Sequence, residues 1–159
     1  FVSYSGKIYD LANNESNITI TEMGGYDITI NTVVQLNEGN EVSYYSSIQK
    51  ALDAMKTSDS VINLLKDTDE SITIKSNTTV SLNLNSNIFN NTTENIAITN
   101  KGTLDILDGK ITSLKTLIIN TNNADINLFN VELDSLGENE VGIISESLAK
   151  VGLYKSTIT

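Results

Sequence analysis

The sequence contains neither cysteine nor histidine. Without cysteine the chain can form no disulfide framework and no thiolate metal site, and cysteine usage cannot indicate its redox compartment. Without histidine it lacks the most common general base, the usual pH-sensitive side chain and the most common metal ligand. These two absences exclude several common kinds of catalytic and metal site.

Arginine is absent too, and ten lysines face twenty carboxylates, which gives a net charge of −10. Such a chain should repel nucleic acid and anionic membrane surfaces, so we expect neither as a partner. No apolar run approaches the roughly 20 residues that span a bilayer, and we expect no membrane insertion. The length of 159 residues suits one domain with a core and a small appendage.

A short apolar pattern returns at nearly regular intervals from Val61 onwards. Ile62-Asn-Leu64 is echoed at steps of 20, 22, 22 and 25 residues by Leu82-Asn-Leu84, Leu104-Asp-Ile106, Ile126-Asn-Leu128 and Val151-Gly-Leu153. A second, interleaved pattern comprises Ile72-Thr-Ile74, Ile96-Ala-Ile98, Leu117-Ile-Ile119 and Gly142-Ile-Ile144. Two interleaved repeats that share a period of about 22 residues predict an all-β solenoid, a parallel β-helix in which each coil buries its apolar residues against its neighbours.

The repeat also predicts which side chains face outward. If Ile62 and Leu64 point into the core, alternation turns Asn63 outward, into one column with Asn83, Asp105, Asn127 and Gly152. The column beside it contains Ser81, Thr103, Asp125 and Lys150. This flat polar face suits hydroxyl-rich ligands, although asparagine stacks in a β-helix also serve structure alone.

Phe129 and Tyr154 occupy matching places in adjacent coils. Exposed, they could stack on sugar rings; at a bend of the chain, they would instead be corner residues of the core. The candidate ligand-binding residues are Asn63, Asn83, Asp105, Asn127, Phe129 and Tyr154.

The remaining parts of each coil should be an apolar corner and a polar turn. The predicted corner residues are Ile88, Ile111, Leu133 and Ile158. The turns that lead into the first strand of each coil carry Asn77, Asn100 and Asn122, whose amides could form a ladder along the axis that satisfies turn backbone groups.

The N-terminal part of the chain reads as strands followed by one helix. The segments 17–21 and 26–30 alternate apolar and polar residues around Gly24-Gly25, which predicts a hairpin. A further strand is expected around Val33 to Leu36, and the polar run 38–41 is the best candidate for a boundary. We therefore divide the chain into an N-terminal β segment, 1–43, and a capped β-helix, 44–159.

The helix is predicted by a capping box at Ser46-Ser-Ile-Gln49 and by the apolar stripe Ile48, Ala51, Leu52 and Met55. We expect it to cover the open end of the coil, where it would shield an edge that could pair with another chain; packing on the side of the coil is the alternative. The sequence begins at Phe1 and ends just after Ile158, in the middle of a predicted coil and without a polar cap. We expect further coils, domains of the same polypeptide or a partner beyond it.

The order and spacing of several segments resemble a known group of proteins. These segments are Tyr44-Tyr-Ser-Ser-Ile-Gln-Lys-Ala-Leu-Asp53, Val61-Ile-Asn-Leu-Leu-Lys-Asp67, Glu70-Ser-Ile-Thr-Ile74, Val80-Ser-Leu-Asn-Leu84 and Asn100-Lys-Gly-Thr-Leu-Asp-Ile106. Residues 44–159 are similar to the pectate-lyase-like right-handed parallel β-helix domains of surface and secreted proteins from Gram-positive bacteria. The resemblance implies a cap helix, three-sided coils and an extracellular, often adhesive, setting; the right hand follows from it and from the handedness of parallel crossovers.

Enzymes of that family cleave acidic polysaccharides. The resemblance implies either a lyase route with Ca²⁺ and an arginine base, which this chain lacks, or a hydrolase route with clustered aspartates. Only Asp105, Asp108 and Asp125 lie near one another in coil register, and Asp108-Gly109 reads as a tight turn. The densest acidic run supplies weak Ca²⁺ candidates, Asp67, Asp69 and Glu70, but it lacks the spacing and glycine of an EF-hand, which favours a solvated turn between two strands.

These observations favour a non-catalytic structural or adhesive module of a bacterial cell-surface or secreted protein. It would bind a glycan or a host surface protein weakly and would need no cofactor. The alternative is a polysaccharide lyase or hydrolase, or an inactive relative of one.

Overall fold

The computed structural model describes residues 32–137 and 141–159, together with the backbone of four short strands within residues 1–31. In chain order the strands are β1 Val2–Tyr4, β2 Lys7–Tyr9, β3 Ile18–Glu22, β4 Tyr26–Ile30, β5 Val34–Glu38, β6 Glu41–Tyr45, β7 Ser60–Leu64, β8 Thr68–Asp69, β9 Ile72–Ile74, β10 Thr79–Asn83, β11 Ile88–Asn91, β12 Ile96–Asn100, β13 Thr103–Ser113, β14 Thr116–Asn120, β15 Asp125–Ser135, β16 Ile143–Ser145, β17 Lys150–Tyr154 and β18 Thr157–Ile158. One helix, α1 Ile48–Ala54, lies between β6 and β7.

From β7 onwards the chain forms a right-handed parallel β-helix of about four turns with coils of about 22 residues, which confirms the predicted fold class. Each coil has three sides. Face 1 contains β7, β10, the first halves of β13 and β15, and β17. Face 2 contains β8, β11, the second halves of β13 and β15, and β18. Face 3 contains β9, β12, β14 and β16.

The corner between faces 1 and 2 needs left-handed backbone. Asp108, Asn130 and Lys155 follow the face-1 strands of successive coils and have φ values of 51°, 56° and 52°. Asparagine and aspartate tolerate this region better than most residues because their short side chains bond locally. The turn predicted at Asp108-Gly109 is therefore present, and Gly109 is required there because a Cβ would lie 2.5 Å from the Cβ of Leu84.

The core is a stack of aliphatic side chains inside the coils. On face 1 the stacked inward positions include Ile62, Leu82, Ile106 and Leu128, each at most 1% exposed. On face 2 the inward column is Phe89, Ile111, Leu133 and Ile158. The residues predicted for a corner therefore lie in a third strand of the coil, and Phe89 takes the place predicted for Ile88. The prediction of Ile88 was wrong because the two residues are neighbours and both apolar; Ile88 points outward and is 38% exposed.

A hairpin and the helix close the N-terminal end of the coil. Strand β5 pairs antiparallel with both β6 and β7, and its Val34 and Leu36 are completely buried in the shared core. The polar run 38–41 is the turn region of this hairpin, so β5 and β6 continue the sheet of face 1. The division of the chain at residue 43 stays a prediction.

Helix α1 lies over the end of the first coil, as predicted, with Ile48, Ala51 and Leu52 buried. Its N-cap is Ser47, whose hydroxyl accepts a hydrogen bond from the Lys50 N–H, and not Ser46. The predicted capping box was wrong because Gln49 turns away from the helix and accepts the N–H of Thr73 at 2.8 Å, on the outer edge of β9. The helix thus supplies a partner that β9 would otherwise lack.

The segment before residue 32 contains two antiparallel pairs, β1 with β2 and β3 with β4. The second pair confirms the hairpin predicted from the alternation of residues 17–30. The Gly24-Gly25 connection lies outside the described residues.

Buried amides do form a ladder, at the corner between faces 3 and 1, but its members differ from those predicted. Asn100 and Asn120 are completely buried, and Asn100 Nδ2 donates to Asn120 Oδ1 at 2.8 Å. Asn77 and Asn122 are exposed turn residues. At the end of the third coil the prediction chose Asn122, two residues after Asn120, because only the pairing of β12 with β14 shows that Asn100 lies opposite Asn120.

Candidate functional site: the outward side of face 1

The outward side of face 1 carries three columns of side chains. The aromatic column is Asn63, Asn83, Leu107, Phe129 and Tyr154. The amide column is Val61, Ser81, Asp105, Asn127 and Gly152. The threonine column is Thr79, Thr103, Asp125 and Lys150.

The predicted single row of Asn63, Asn83, Asp105 and Asn127 is therefore wrong. Asn63 lies opposite Asn83, and Asp105 opposite Asn127, but Asn83 lies opposite Leu107. The predicted neighbouring column set Ser81 beside Thr103, whereas in the structure Thr79 lies opposite Thr103. The four residues of the predicted row fall into two adjacent columns, Asn63 and Asn83 in the column of Phe129 and Tyr154, and Asp105 and Asn127 in the other.

The error arises between the second and third coils. Strand β10 and the residue after it offer three inward apolar positions, Val80, Leu82 and Leu84, whereas β13 offers Leu104 and Ile106 before its corner. Because alternation has a period of two, Leu104 and Ile106 could align with Val80 and Leu82 or with Leu82 and Leu84, and both alignments keep apolar side chains in the core. The turn decides: Thr103 N donates to Thr78 O at 2.9 Å and thereby sets Thr79 beside Thr103.

Gly102 fixes that turn, because a Cβ on it would lie 2.4 Å from the carbonyl oxygen of Thr78. One sequence signal could have revealed the register. Both Thr79-Val80 and Thr103-Leu104 begin a strand with threonine and an aliphatic residue, and they match in this alignment.

Phe129 and Tyr154 stack on each other on the outside of the coil. Their ring centroids are 4.7 Å apart and their planes differ by 9°. Tyr154 is 52% exposed and Phe129 is partly exposed, so the alternative in which both are core corner residues is wrong. One face of the Tyr154 ring is covered by Phe129, and no aromatic partner is described on its other face.

Gly152 makes room for this arrangement. A Cβ at residue 152 would lie 2.4 Å from Asn127 Oδ1 and 2.8 Å from a ring carbon of Tyr154. The tyrosine ring thus lies back along its own strand, over the position where the amide column has no side chain.

Asp105 and Asn127 form the polar centre of the amide column. Asn127 Nδ2 donates to Asp105 Oδ1 at 2.8 Å, and both side chains are half-buried. Asn83 accepts the N–H of Asn85 at 2.9 Å and so supports the turn after β10. Of the six predicted residues, the structure brings Asp105 into contact with Asn127 and Phe129 into contact with Tyr154.

The other aspartates considered for catalysis also bond to the next coil. Asp108 Oδ1 accepts Nδ2 of Asn130 at 2.9 Å, and Asp125 lies 3.8 Å from the Lys150 ammonium. Asp105, Asp108 and Asp125 therefore each contact an amide or a lysine of the neighbouring coil. This arrangement ties adjacent coils together, whereas acid-base hydrolysis requires two carboxyl groups that face one substrate bond.

The acidic run of the first coil has a structural role. Asp67 accepts the N–H of Ile88, Asp69 that of Thr92, and Glu70 those of Ile48 and Gln49, at distances of 2.8 to 3.1 Å. The three carboxylates thus accept from backbone groups of the second coil and of α1. Within residues 32–137 and 141–159 no group of three acidic side chains is placed to hold a metal ion.

Sequence reasoning missed one charged cluster, on the outward side of face 2. Lys110 lies 2.6 Å from Asp134 and 2.9 Å from Glu132 on the next coil. Its hydrogen bonds, first to Asp134 and then to Glu132, raise the pKa of the Lys110 ammonium. The spacing of 22 to 24 residues between these charges could have indicated the contact once the coil period was known.

Among the described residues, no helix is both long and apolar enough to cross a membrane. Comparison of the chain with protein-family models, with curated proteins and with solved structures finds no match. What the chain binds must therefore be argued from the site itself.

Proposed function

We propose that the chain is a non-catalytic β-helical module of a bacterial cell-surface or secreted protein, and that it binds hydroxyl-rich ligands weakly on the outward side of face 1. The observation that carries the proposal is the placement of an exposed aromatic stack beside a polar pair on one flat face. The Phe129–Tyr154 stack offers an apolar surface, and Asp105 and Asn127 offer oxygen and amide groups next to it. Sugars present apolar ring faces and hydroxyl edges in the same way.

The resemblance of residues 44–159 to pectate-lyase-like domains of Gram-positive surface proteins supports an extracellular, adhesive setting. The bonding of the coil carboxylates supports the non-catalytic part of the proposal, because Asp105, Asp108 and Asp125 each contact the neighbouring coil. The net charge of −10 makes nucleic acid an unfavourable partner.

The expected affinity is low. A hydrogen bond exchanged with water contributes only about 0.5 to 1.5 kcal/mol, and two or three such bonds with one ring contact give dissociation constants of about 1 mM. Many copies of the module on one surface would raise the avidity without any new contact.

The experiment is a titration with neutral and uronic-acid oligosaccharides, followed by NMR chemical-shift changes. We expect weak, saturable shifts centred on face 1 that are lost in Tyr154→Ala. Ile88→Ala is the control, because Ile88 is also exposed but lies on face 2. Shifts that survive Tyr154→Ala, or that centre on another face, would contradict the proposed site.

A second assay tests the enzymatic alternative. Incubation with pectins and related uronates should release neither unsaturated products nor new reducing ends. Turnover that disappears in Asp105→Asn would overturn the non-catalytic proposal and favour a lyase or hydrolase.

A further inference from the structure

The aromatic column of face 1 continues beyond Asn63 into the N-terminal hairpin. Strand β5 pairs with β7, and β6 with β5, in a register that sets Gln35 opposite Asn63 and Tyr44 opposite Gln35. Val34 and Leu36 are completely buried, so Gln35 between them points outward, and Tyr44 lies on the same side of the sheet. Tyr44 is 39% exposed and Gln35 is partly exposed. The column therefore follows the whole path of strands from β6 to β17.

Aromatic rings lie at both ends of this extended column. Tyr44 lies at one end and the Phe129–Tyr154 stack at the other. The side chains between them are, in order, Gln35, Asn63, Asn83 and Leu107. Five strand spacings of about 4.8 Å separate Tyr44 from Phe129, which gives a path of roughly 24 Å. A mono- or disaccharide is too short to contact both ends.

The three amides between the rings keep hydrogen-bonding groups available for a ligand. Gln35 Nε2 donates to Asn37 Oδ1 at 3.1 Å, which leaves the side-chain carbonyl of Gln35 as an acceptor. Asn83 Oδ1 accepts the N–H of Asn85, which leaves Asn83 Nδ2 as a donor. The side chain of Asn63 forms no hydrogen bond to any residue that the structure describes. The row thus offers both donors and acceptors, which suits hydroxyl groups because a hydroxyl does both.

The outward side of face 1 carries little positive charge. In the part of its three columns that the structure describes, the one cation is Lys150, whose ammonium already lies 3.8 Å from Asp125. Asp105 adds a second carboxylate, which is bonded to an amide. Lys101 and Lys155 lie beyond the columns, at the corners with faces 3 and 2. A ligand with a carboxylate on every ring would gain no ion pair along this path, and the net charge of −10 would repel it.

We propose that the ligand of face 1 is an uncharged, linear polysaccharide that lies along the coil axis, from the Phe129–Tyr154 stack to Tyr44. This assignment rests on the function proposed for face 1 and adds the class, the length and the direction of the ligand. Sugar rings at the two ends stack on the aromatic side chains, and hydroxyl groups of the rings between them bond to the amides. A polymer repeats one unit, and only along the axis does face 1 repeat one kind of side chain.

The first experiment compares ligands of different length by NMR titration. The ligands are the β-linked hexamers of glucose and of mannose and the corresponding dimers. We expect a hexamer to bind at least about tenfold more tightly than its dimer, because it reaches amides that the dimer on the aromatic stack does not. Its chemical-shift changes should extend from β17 to β6.

The outcomes separate this inference from the function on which it rests. Dimers and hexamers of equal affinity, or shift changes confined to the surroundings of Phe129 and Tyr154, would overturn the extended path and leave the aromatic site intact. The absence of binding by every one of these sugars would overturn both.

The second experiment removes the distant ring. Tyr44→Ala should weaken hexamer binding by about three- to tenfold and leave dimer binding unchanged, so the dimer also shows that the variant is folded. Ile88→Ala is the matched control, because Ile88 is 38% exposed, close to the 39% of Tyr44, but lies on face 2. Equal losses for dimer and hexamer in Tyr44→Ala, or no loss for the hexamer, would contradict the proposed path.

The third experiment tests the charge of the ligand. Hexamers of glucuronic and mannuronic acid differ from the two neutral hexamers only by a carboxylate on each ring. At low salt we expect them to bind at least about tenfold more weakly than their neutral counterparts. Added salt should reduce this difference, because it screens the repulsion. A uronate hexamer that binds as tightly as its neutral counterpart at low salt would overturn the assignment of an uncharged ligand.

Discussion

At the residue scale, the two buried amides of Asn100 and Asn120 hold the turns between faces 3 and 1. Asn100 Nδ2 donates to Asn120 Oδ1 and to the carbonyl of Asp125, while Asn100 Oδ1 accepts the N–H of Gly102. Asn120 in turn donates to the carbonyls of Ala124 and Lys150. Each amide therefore satisfies turn backbone groups that would otherwise be buried without partners.

We predict that Asn100→Ala destabilises the protein by about 1 to 3 kcal/mol, because several buried groups lose their partner at once. Asn122→Ala, in the exposed turn of the next coil, should change stability by less than about 0.5 kcal/mol. Chemical denaturation of both variants measures the difference. Equal effects would show that the amide ladder contributes nothing beyond the exposed turns.

At the element scale, α1 is held at both ends by carboxylates from outside it. Glu70 accepts the N–H groups of Ile48 and Gln49 at the first turn. Glu38, at the end of β5, accepts the N–H groups of Lys56 and Thr57 and the hydroxyls of Thr57 and Ser60 beyond the last turn. The cap of the coil is thus fastened by hydrogen bonds to ionised groups, which are stronger than neutral ones.

Glu38 makes this fastening dependent on pH. Burial alone raises the pKa of Glu38, but hydrogen bonds from the Thr57 and Lys56 N–H groups and from the hydroxyls of Ser60 and Thr57 outweigh it and lower the pKa below 4.5. A carboxyl with a lowered folded pKa binds protons more readily in the unfolded state. Its contribution to stability is complete above pH 4.5 and is lost as the pH falls through the folded pKa.

We therefore predict that Glu38→Gln destabilises the protein at neutral pH and that the difference from wild type shrinks below pH 4.5. Thermal unfolding of both proteins across that range measures it. Glu41→Gln is the control, because the Glu41 carboxylate forms an exposed ion pair with the Lys56 ammonium. A difference that stays constant with pH would exclude the proposed role of the Glu38 charge.

At the scale of the whole molecule, the coils depend on one another. The aliphatic side chains that one coil buries stabilise it by less than the backbone entropy that is lost when the whole coil is ordered. One coil alone is therefore unstable, and neighbouring coils should unfold together.

We predict that Ile106→Asp lowers the free energy of unfolding by more than about 4 kcal/mol and unfolds the neighbouring coils together with its own. Ile106 is 0% exposed and lies between Leu82 and Leu128, so an aspartate there would be an unpaired buried charge. Thr103→Ala, on the outward side of the same strand, should change stability by no more than about 0.5 kcal/mol. Small and equal effects in calorimetry would contradict the inward register of β13.

Removal of metal ions should leave the molecule unchanged. The carboxylates of Asp67, Asp69 and Glu70 already accept backbone N–H groups, so they do not need a cation to stabilise the first coil. We predict the same melting temperature with and without a chelator. A large decrease that Ca²⁺ reverses would show that the acidic run binds metal.

The sequence by itself determined the period of the coil, the identity of most core residues and the stripe of α1. Every coil must bury aliphatic side chains at its inward positions, so these residues recur in the sequence with the period of the coil. Sequence reasoning also placed Asp105 beside Asn127 and Phe129 beside Tyr154, because each pair lies within two coils whose strands match at a step of 22 or 25 residues. It left open whether the two aromatic rings lie outside the coil, which the structure decides.

Only the tertiary structure decided how the second coil aligns with the third, and hence which outward residues share a column. A shift by two residues keeps the same side chains inward, so hydrophobic burial cannot distinguish the two alignments. The choice depends on backbone hydrogen bonds and close packing at Gly102 and Gly109. Those contacts join residues far apart in the chain, and they set Leu107, and not Asp105, beside Asn83. In the sequence, the only sign of this alignment is that Thr79-Val80 and Thr103-Leu104 both begin a strand with threonine and an aliphatic residue.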